Sequence, residues 1–305
     1  MVLSEMDEYA ALVDLSSFLE TYAPGGEFER AHEIPDIQRE LKVGIQSAKN
    51  ETQMYAPLVS KSSLLRVAHL VTSAQCRALN EMLSLGSNYT ITDTSKHVEY
   101  ADHKPDLGMF DKRFGLEAWN IQSPSKYQGQ WFKEKILFAW SICLLEVKFT
   151  ESQDPFGEND NGELTFPNSK DSVRTRMQIV GYINQIFLRQ HREFAFIVLI
   201  FGEMARLIRW DRIGAIVSRP FNYVDDVTPL LNFIYRLSKT DRAGQGFDTT
   251  VQLATEEQIA ELEKFRAAAP QHSYEYKFAA EMLQDKLLYP INQVWTRIVW
   301  RRTAA

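Results

Sequence analysis

Two rhythms of apolar residues alternate along the chain. Between residues 3 and 22, Tyr9, Leu12, Val13, Leu15 and Leu19 recur at helical spacing, and "APGGE" breaks the segment. The same spacing predicts a helix over 35–49, after Pro35, and a longer one from Ser63 to Leu85 that Gly86 terminates. The helical period then disappears. "YTITDTSKHVEYADHKPDLGMF" is rich in β-formers, and residues 131–149 read as one or two strands. The acidic stretch "FTESQDPFGENDNGELTFPNS", full of Gly, Pro and Asn, predicts a solvated, mobile loop. A helix follows from about Lys170 to Arg192. "FAFIVLIFG", "MARLIRWDR" and "GAIVSRPF" then predict a meander turning at Gly202 and Gly214. Helical pattern returns at 227–238 and at 255–268, where Thr255 is placed to cap the helix ahead of Glu256 and Glu257. Helices, strands, one helix, strands and helices in that order predict an α/β or α+β core with helical additions at both ends. The expected divisions are a helical extension over 1–60, a core over 61–240 and a second helical extension over 241–305.

Composition narrows this picture modestly. The 305 residues are 45% hydrophobic and 24% charged, enough for a sizeable core. A net charge of −6 excludes a protein basic overall, so any nucleic-acid contact must be a local patch. From Lys170 to Arg219 there is such a stretch. It holds Lys170, Arg174, Arg176, Arg189, Arg192, Arg206, Arg209, Arg212 and Arg219 against Asp171, Glu193, Glu203 and Asp211. This face either tracks phosphates or serves solubility and internal ion pairs. Within it, Arg209 and Asp211 share a strand face and are expected to pair, the alternative being a base stacked on Trp210. The two cysteines, Cys76 and Cys143, sit in apolar surroundings and read as buried free thiols. Asn50-Glu51-Thr52 and Asn88-Tyr89-Thr90 match a glycosylation sequon by chance on this reading. The start is acidic, unlike an ordinary secretory signal, and no apolar run approaches ~18 residues. An intracellular protein, cytoplasmic or nuclear and outside the membrane, is expected.

The candidate chemistry begins in "AWSICLLEVKF". Side chains alternate along a strand, so Glu146 and Lys148 share one face while Val147 faces the other way. Such a pair alone is usually a solvated edge or a local salt bridge. Two further elements change its context. Upstream, Asp106 follows Pro105 and precedes an apolar run. Downstream, Gln178 and Tyr182 lie four apart on one helix face. Asp, then Glu-x-Lys, then Gln-x-x-x-Tyr resembles the motif order of the PD-(D/E)XK nuclease superfamily, in particular its RecB-like exonuclease branch. That resemblance implies a restriction-endonuclease-like mixed sheet and Mg²⁺- or Mn²⁺-dependent phosphodiester hydrolysis. Asp106, Glu146 and the Val147 carbonyl would be the metal ligands, since Mg²⁺ takes hard oxygen donors. Lys148 would orient or help deprotonate the attacking water and stabilise phosphate charge, and Gln178 and Tyr182 would support the site. An extra acid from the first core helix is common in the superfamily, and Glu81 is the candidate.

A longer block is more specific. "QIVGYINQIFLRQHREFAFIVLIFGEMARLIRWDRIGAIVSRPFNY", with "KPDLGMF", "EVKF" and "GQGFDTTV", resembles the fungal-type protein kinase family over roughly residues 100–255. In that family a nuclease-like region precedes a kinase domain. The glycine-rich loop, the strand Lys with its helix Glu, the His-Arg-Asp loop and the Asp-Phe-Gly site are not found in this sequence. The alternative to a nuclease is therefore a non-catalytic recognition or regulatory module of a kinase-linked architecture, without phosphotransfer.

Overall fold

The computed structural model describes residues 9–29, 31–59, 88–95, 104–111, 138, 141–253, 255–280 and 295–297. The helix expected over Ser63–Leu85, with Glu81 and Cys76, lies outside these residues.

A large mixed sheet carries the molecule. Its strands are β1 (Ala10–Val13), β2 (Tyr89–Asp93), β3 (Leu107–Asp111), β4 (Ser141–Lys148), β7 (Phe194–Phe201), β8 (Met204–Asp211), β9 (Ala215–Ser218) and β10 (Phe221–Asn222). The order across the sheet is β1-β9-β8-β7-β4-β3-β2, with β10 on β8. Two short hairpins stand apart from it: β5 (Gly157–Glu158) with β6 (Leu164–Thr165), and β11 (Val251–Leu253) with β12 (Trp295–Arg297). The helices are α1 (Leu15–Tyr22), α2 (Ile34–Ser47), α3 (Glu51–Val59), α4 (Lys170–Arg189), α5 (Thr228–Lys239) and α6 (Glu256–Ala268).

The strands β4 and β7 are parallel, so the chain must cross over between them, and α4 is that crossover. Both strands are buried on two faces, which is why they read as almost continuous apolar runs. Cys143, Leu145, Val147, Phe196, Val198 and Ile200 pack under α1, α2, α3 and α5. Leu144, Ile197 and Leu199 face α4, which presents Ile179, Tyr182, Ile183 and Ile186 at helical spacing. The expected meander is present: β7, β8 and β9 run antiparallel, and Gly202 turns the first hairpin with a φ of 61°. Thr255 caps α6 in a capping box with Gln258, as the sequence suggests. Among the described residues no helix is long and apolar enough to cross a membrane.

Four features depart from the sequence reading. The extension expected to be helical over 241–305 also carries the β11–β12 hairpin, because paired strand edges satisfy each other's backbone groups. The helix expected over 3–22 starts only at Leu15. Ala10–Val13 instead forms β1, which adds in parallel to the open edge of β9, so ladder hydrogen bonds override a helical period. An additional helix, α3, follows Asn50, whose side chain accepts from the Gln53 N–H at 3.1 Å. It contains Pro57, against which Gly44 of α2 packs so closely that a Cβ there would lie 2.7 Å from Pro57 Cγ. The acidic 149–169 loop is pinned rather than loose. Arg206 Nε donates to Asp154 at 2.9 Å, Arg176 to Pro155 O at 3.2 Å and Arg219 to Glu158 at 2.7 Å.

The β1 edge gives a direct test of the packing. A Cβ on Gly214 would sit 1.7 Å from the Tyr9 carbonyl oxygen, which accepts from Ala215 N. Gly214→Ala should therefore cost about 1–3 kcal/mol in urea unfolding. Gly26→Ala, with nothing within 4 Å, should stay within ~0.5 kcal/mol of the parent. Equal effects would contradict this packing.

Candidate functional site

The C-terminal end of β4 places Glu146 and Lys148 on the sheet face that α4 covers. The alternation that sends Val147 into the opposite core leaves no other choice of face. The strand ends firmly, because Gly202 N donates to Lys148 O at 3.0 Å and a Thr150–Gln153 capping box follows. Neither side chain reaches bulk solvent: Glu146 is 1% and Lys148 6% exposed. They form an ion pair at 2.5 Å.

Asp106 arrives from the neighbouring strand. The β3–β4 ladder runs as far as Leu107 opposite Leu145, so the residue just before it falls next to Glu146 and its side chain reaches Val147. Val147 N–H donates to Asp106 Oδ2 at 2.8 Å. A strand residue turns its N–H and C=O to the same edge, so the Val147 carbonyl faces the Asp106 side as well. The backbone around Asp106 is held twice by Thr94, whose N–H donates to Asp106 O and whose hydroxyl donates to Pro105 O. The Tyr182 hydroxyl donates to Lys104 O at 2.8 Å, tying α4 to the same segment.

Two residues of the site were not singled out from the sequence. Tyr55 of α3 donates to Asp106 Oδ1 at 2.5 Å and lies 3.1 Å from Glu51 Oε1. Glu51 Oε2 is in turn 3.9 Å from Lys148 Nζ. Among the described residues, Glu51 is an acid that a preceding helix brings near the site. Glu51 and Tyr55 stand four apart in "ETQMYAPL", which marks a shared helix face, but Pro57 and the absence of an apolar period hide the helix.

The structure brings Asp106, Glu146, Lys148 and Tyr182 together around the Val147 backbone. Gln178, one turn before Tyr182, is half-buried and has no hydrogen-bond partner among the described residues. The basic 170–219 stretch is largely spent internally. Arg176, Arg192 and Arg206 are buried on backbone carbonyls, and Arg219 pairs with Asp14 and Glu158. Arg209 pairs with Asp211 at 3.3 Å, and the buried Trp210 ring is not open to a stacking base. Cys143 is a buried free thiol whose pKa burial pushes up to about 12.

Charge is unbalanced at this centre. Burial raises the Asp106 carboxyl well above its ordinary range, and the Glu146 charge adds to the shift. Burial also raises Glu146, against the pull of Lys148. Burial alone would lower the Lys148 ammonium, but Glu146 and Asp106 outweigh it and hold the group charged. The Glu146 carboxyl is wholly buried, with the Tyr182 hydroxyl as well as Lys148 close to it. Two carboxylates and a backbone oxygen suit a hard divalent cation that keeps several waters. It is not a preformed cage: among the described residues no three His, Cys, Asp or Glu side chains group as one.

A family model described as fungal protein kinase matches residues 160–302, a little under half of the chain. The match takes in α4 with Gln178 and Tyr182 and the β7–β9 meander, and it begins after Asp106, Glu146 and Lys148. No curated protein and no solved structure matches the chain.

The raised carboxyls carry a pH signature. A carboxyl that is harder to ionise folded than unfolded subtracts stability as pH rises from about 4, its unfolded value, through its folded value. In EDTA, Asp106→Asn should melt above wild type at about pH 7.5, with the gap closing toward about pH 4. Calorimetric scans showing no gap at neutral pH would contradict an unfavourable buried charge at Asp106.

Proposed function

We propose that this centre binds Mg²⁺ or Mn²⁺ and hydrolyses phosphodiester bonds of nucleic acid, as a PD-(D/E)XK-type nuclease site within a kinase-related chain. The observation that carries the reading is the excess of buried carboxylate over cation. Asp106 and Glu146 are both pushed toward neutrality with Lys148 as their close counter-charge. Asp106, Glu146 and the Val147 carbonyl would hold the ion, with Glu51 beside them. When bound, the metal supplies charge neutralisation at the phosphate and lowers the pKa of a coordinated water.

The chain's own residues do the rest. Lys148 is held as a cation, so it acts as a donor: it orients the attacking water and stabilises charge growing on the phosphate oxygens, and does not take a proton. Tyr182 fixes the Lys104–Asp106 segment to α4, and Gln178, one turn away, would contact the strand being cut. A recognition module would rest on the basic 170–219 face. Arg176, Arg192, Arg206 and Arg219 are engaged within the fold, so that reading has less to stand on. Similarity to the fungal protein kinase family over 160–302 supports a kinase-related origin, while the phosphate-cradling loop and catalytic Asp loop of phosphotransfer are not in this sequence.

The test is a cleavage assay on single- and double-stranded DNA and RNA with Mg²⁺ and with Mn²⁺. Wild type should cut at least one substrate. Asp106→Asn and Lys148→Gln should each lose about 100-fold or more, the scale of removing one preorganised transition-state group. Lys148→Gln keeps a donor for Glu146, which avoids stranding a buried carboxylate. Cleavage that survives both substitutions, or none by wild type under any metal, would end this reading.

A further inference from the structure

We propose that Tyr55 is a positioning residue of this centre, which sets the Asp106 carboxylate in place for a divalent ion. The inference rests on the metal reading above. Its argument begins with geometry. The ring of Tyr55 is buried in the core on the α3 side of the sheet, so its position is fixed by packing. From there the hydroxyl reaches Asp106 Oδ1 at 2.5 Å. The other oxygen, Oδ2, receives Val147 N–H at 2.8 Å. Two fixed donors, one on each oxygen, define the plane of the carboxylate. Each oxygen keeps a further lone pair for a ligand.

Chemistry narrows the role. A phenol has one proton, and its approach to Asp106 is closer than its 3.1 Å approach to Glu51 Oε1. The bond therefore belongs to Asp106, and Glu51 stands within reach of both Tyr55 and Lys148. A phenol is protonated at neutral pH, so the hydroxyl serves as a donor. It touches no reacting atom. It acts through Asp106, as outer hydrogen-bond partners of metal ligands do, and loss of such partners typically costs about 10–100-fold in metal affinity.

Removing the hydroxyl tests this with the full chain and Mn²⁺ as the probe. Free Mn²⁺ is measured by electron paramagnetic resonance, so no cleavage is required. Tyr55→Phe keeps the ring and should weaken Mn²⁺ binding about tenfold or more. Leu58→Val, a conservative loss in the same helix core, should bind Mn²⁺ as wild type does although it also lowers the melting temperature. Circular dichroism confirms that both variants are folded at the temperature used. Any cleavage by Tyr55→Phe should recover as Mn²⁺ is raised, with the half-maximal metal concentration shifted upward by the same factor. Wild-type affinity in Tyr55→Phe, or equal weakening in Leu58→Val, would overturn the role of Tyr55 alone. Wild type that binds no Mn²⁺ would overturn the metal reading and this inference with it.

Discussion

One ammonium group stands between buried carboxylates. Lys148 Nζ bonds Glu146 at 2.5 Å and lies 3.9 Å from Glu51, while Asp106 sits within its electrostatic reach. Taking these charges out of water is costly, and the attraction of one cation does not restore what several anions lose. Burial accordingly pushes the Asp106 and Glu146 carboxyls toward their neutral forms. A fold that tolerates it must support the site elsewhere, and here the surrounding core does so.

That support follows from the sheet order. The site strand β4 lies between β3 and β7, with helices over both faces, so its apolar residues are wholly buried. A strand fixed this tightly fixes its side chains by alternation, which is why Glu146 and Lys148 have a single direction available. Asp106 is added by the point at which the β3–β4 ladder ends and Val147 N–H becomes free for a side chain. The α4 crossover, required by the parallel β4–β7 pair, brings Tyr182 over the same point. The centre is a consequence of topology at three places close in space and far apart in sequence.

Much of this was legible beforehand for physical reasons. Period-two alternation in "LLEVKF" and the four-residue spacing of Gln178 and Tyr182 are local signals, and local signals survive folding. The α4 helix, the meander and the Thr255 cap were legible on the same basis. The parts that were not legible depend on partners. Ala10–Val13 becomes a strand because β9 offers an open edge. Tyr55 and Glu51 join the site because α3 docks there, and Pro57 obscures that helix. A count of charges over 170–219 suggests a basic surface, yet Arg176, Arg192 and Arg206 are buried on carbonyls and acids that no local pattern reveals.

We propose that the buried carboxylates around Lys148 are arranged for a divalent ion. The most direct measurement is an X-ray structure of crystals grown with Mn²⁺, with anomalous data collected for manganese. The account requires an anomalous peak about 2.1 Å from oxygens of Asp106 and Glu146 and from the Val147 carbonyl oxygen. Full Mn²⁺ occupancy elsewhere in the crystal, with no peak here and Lys148 still closed on Glu146, would contradict it.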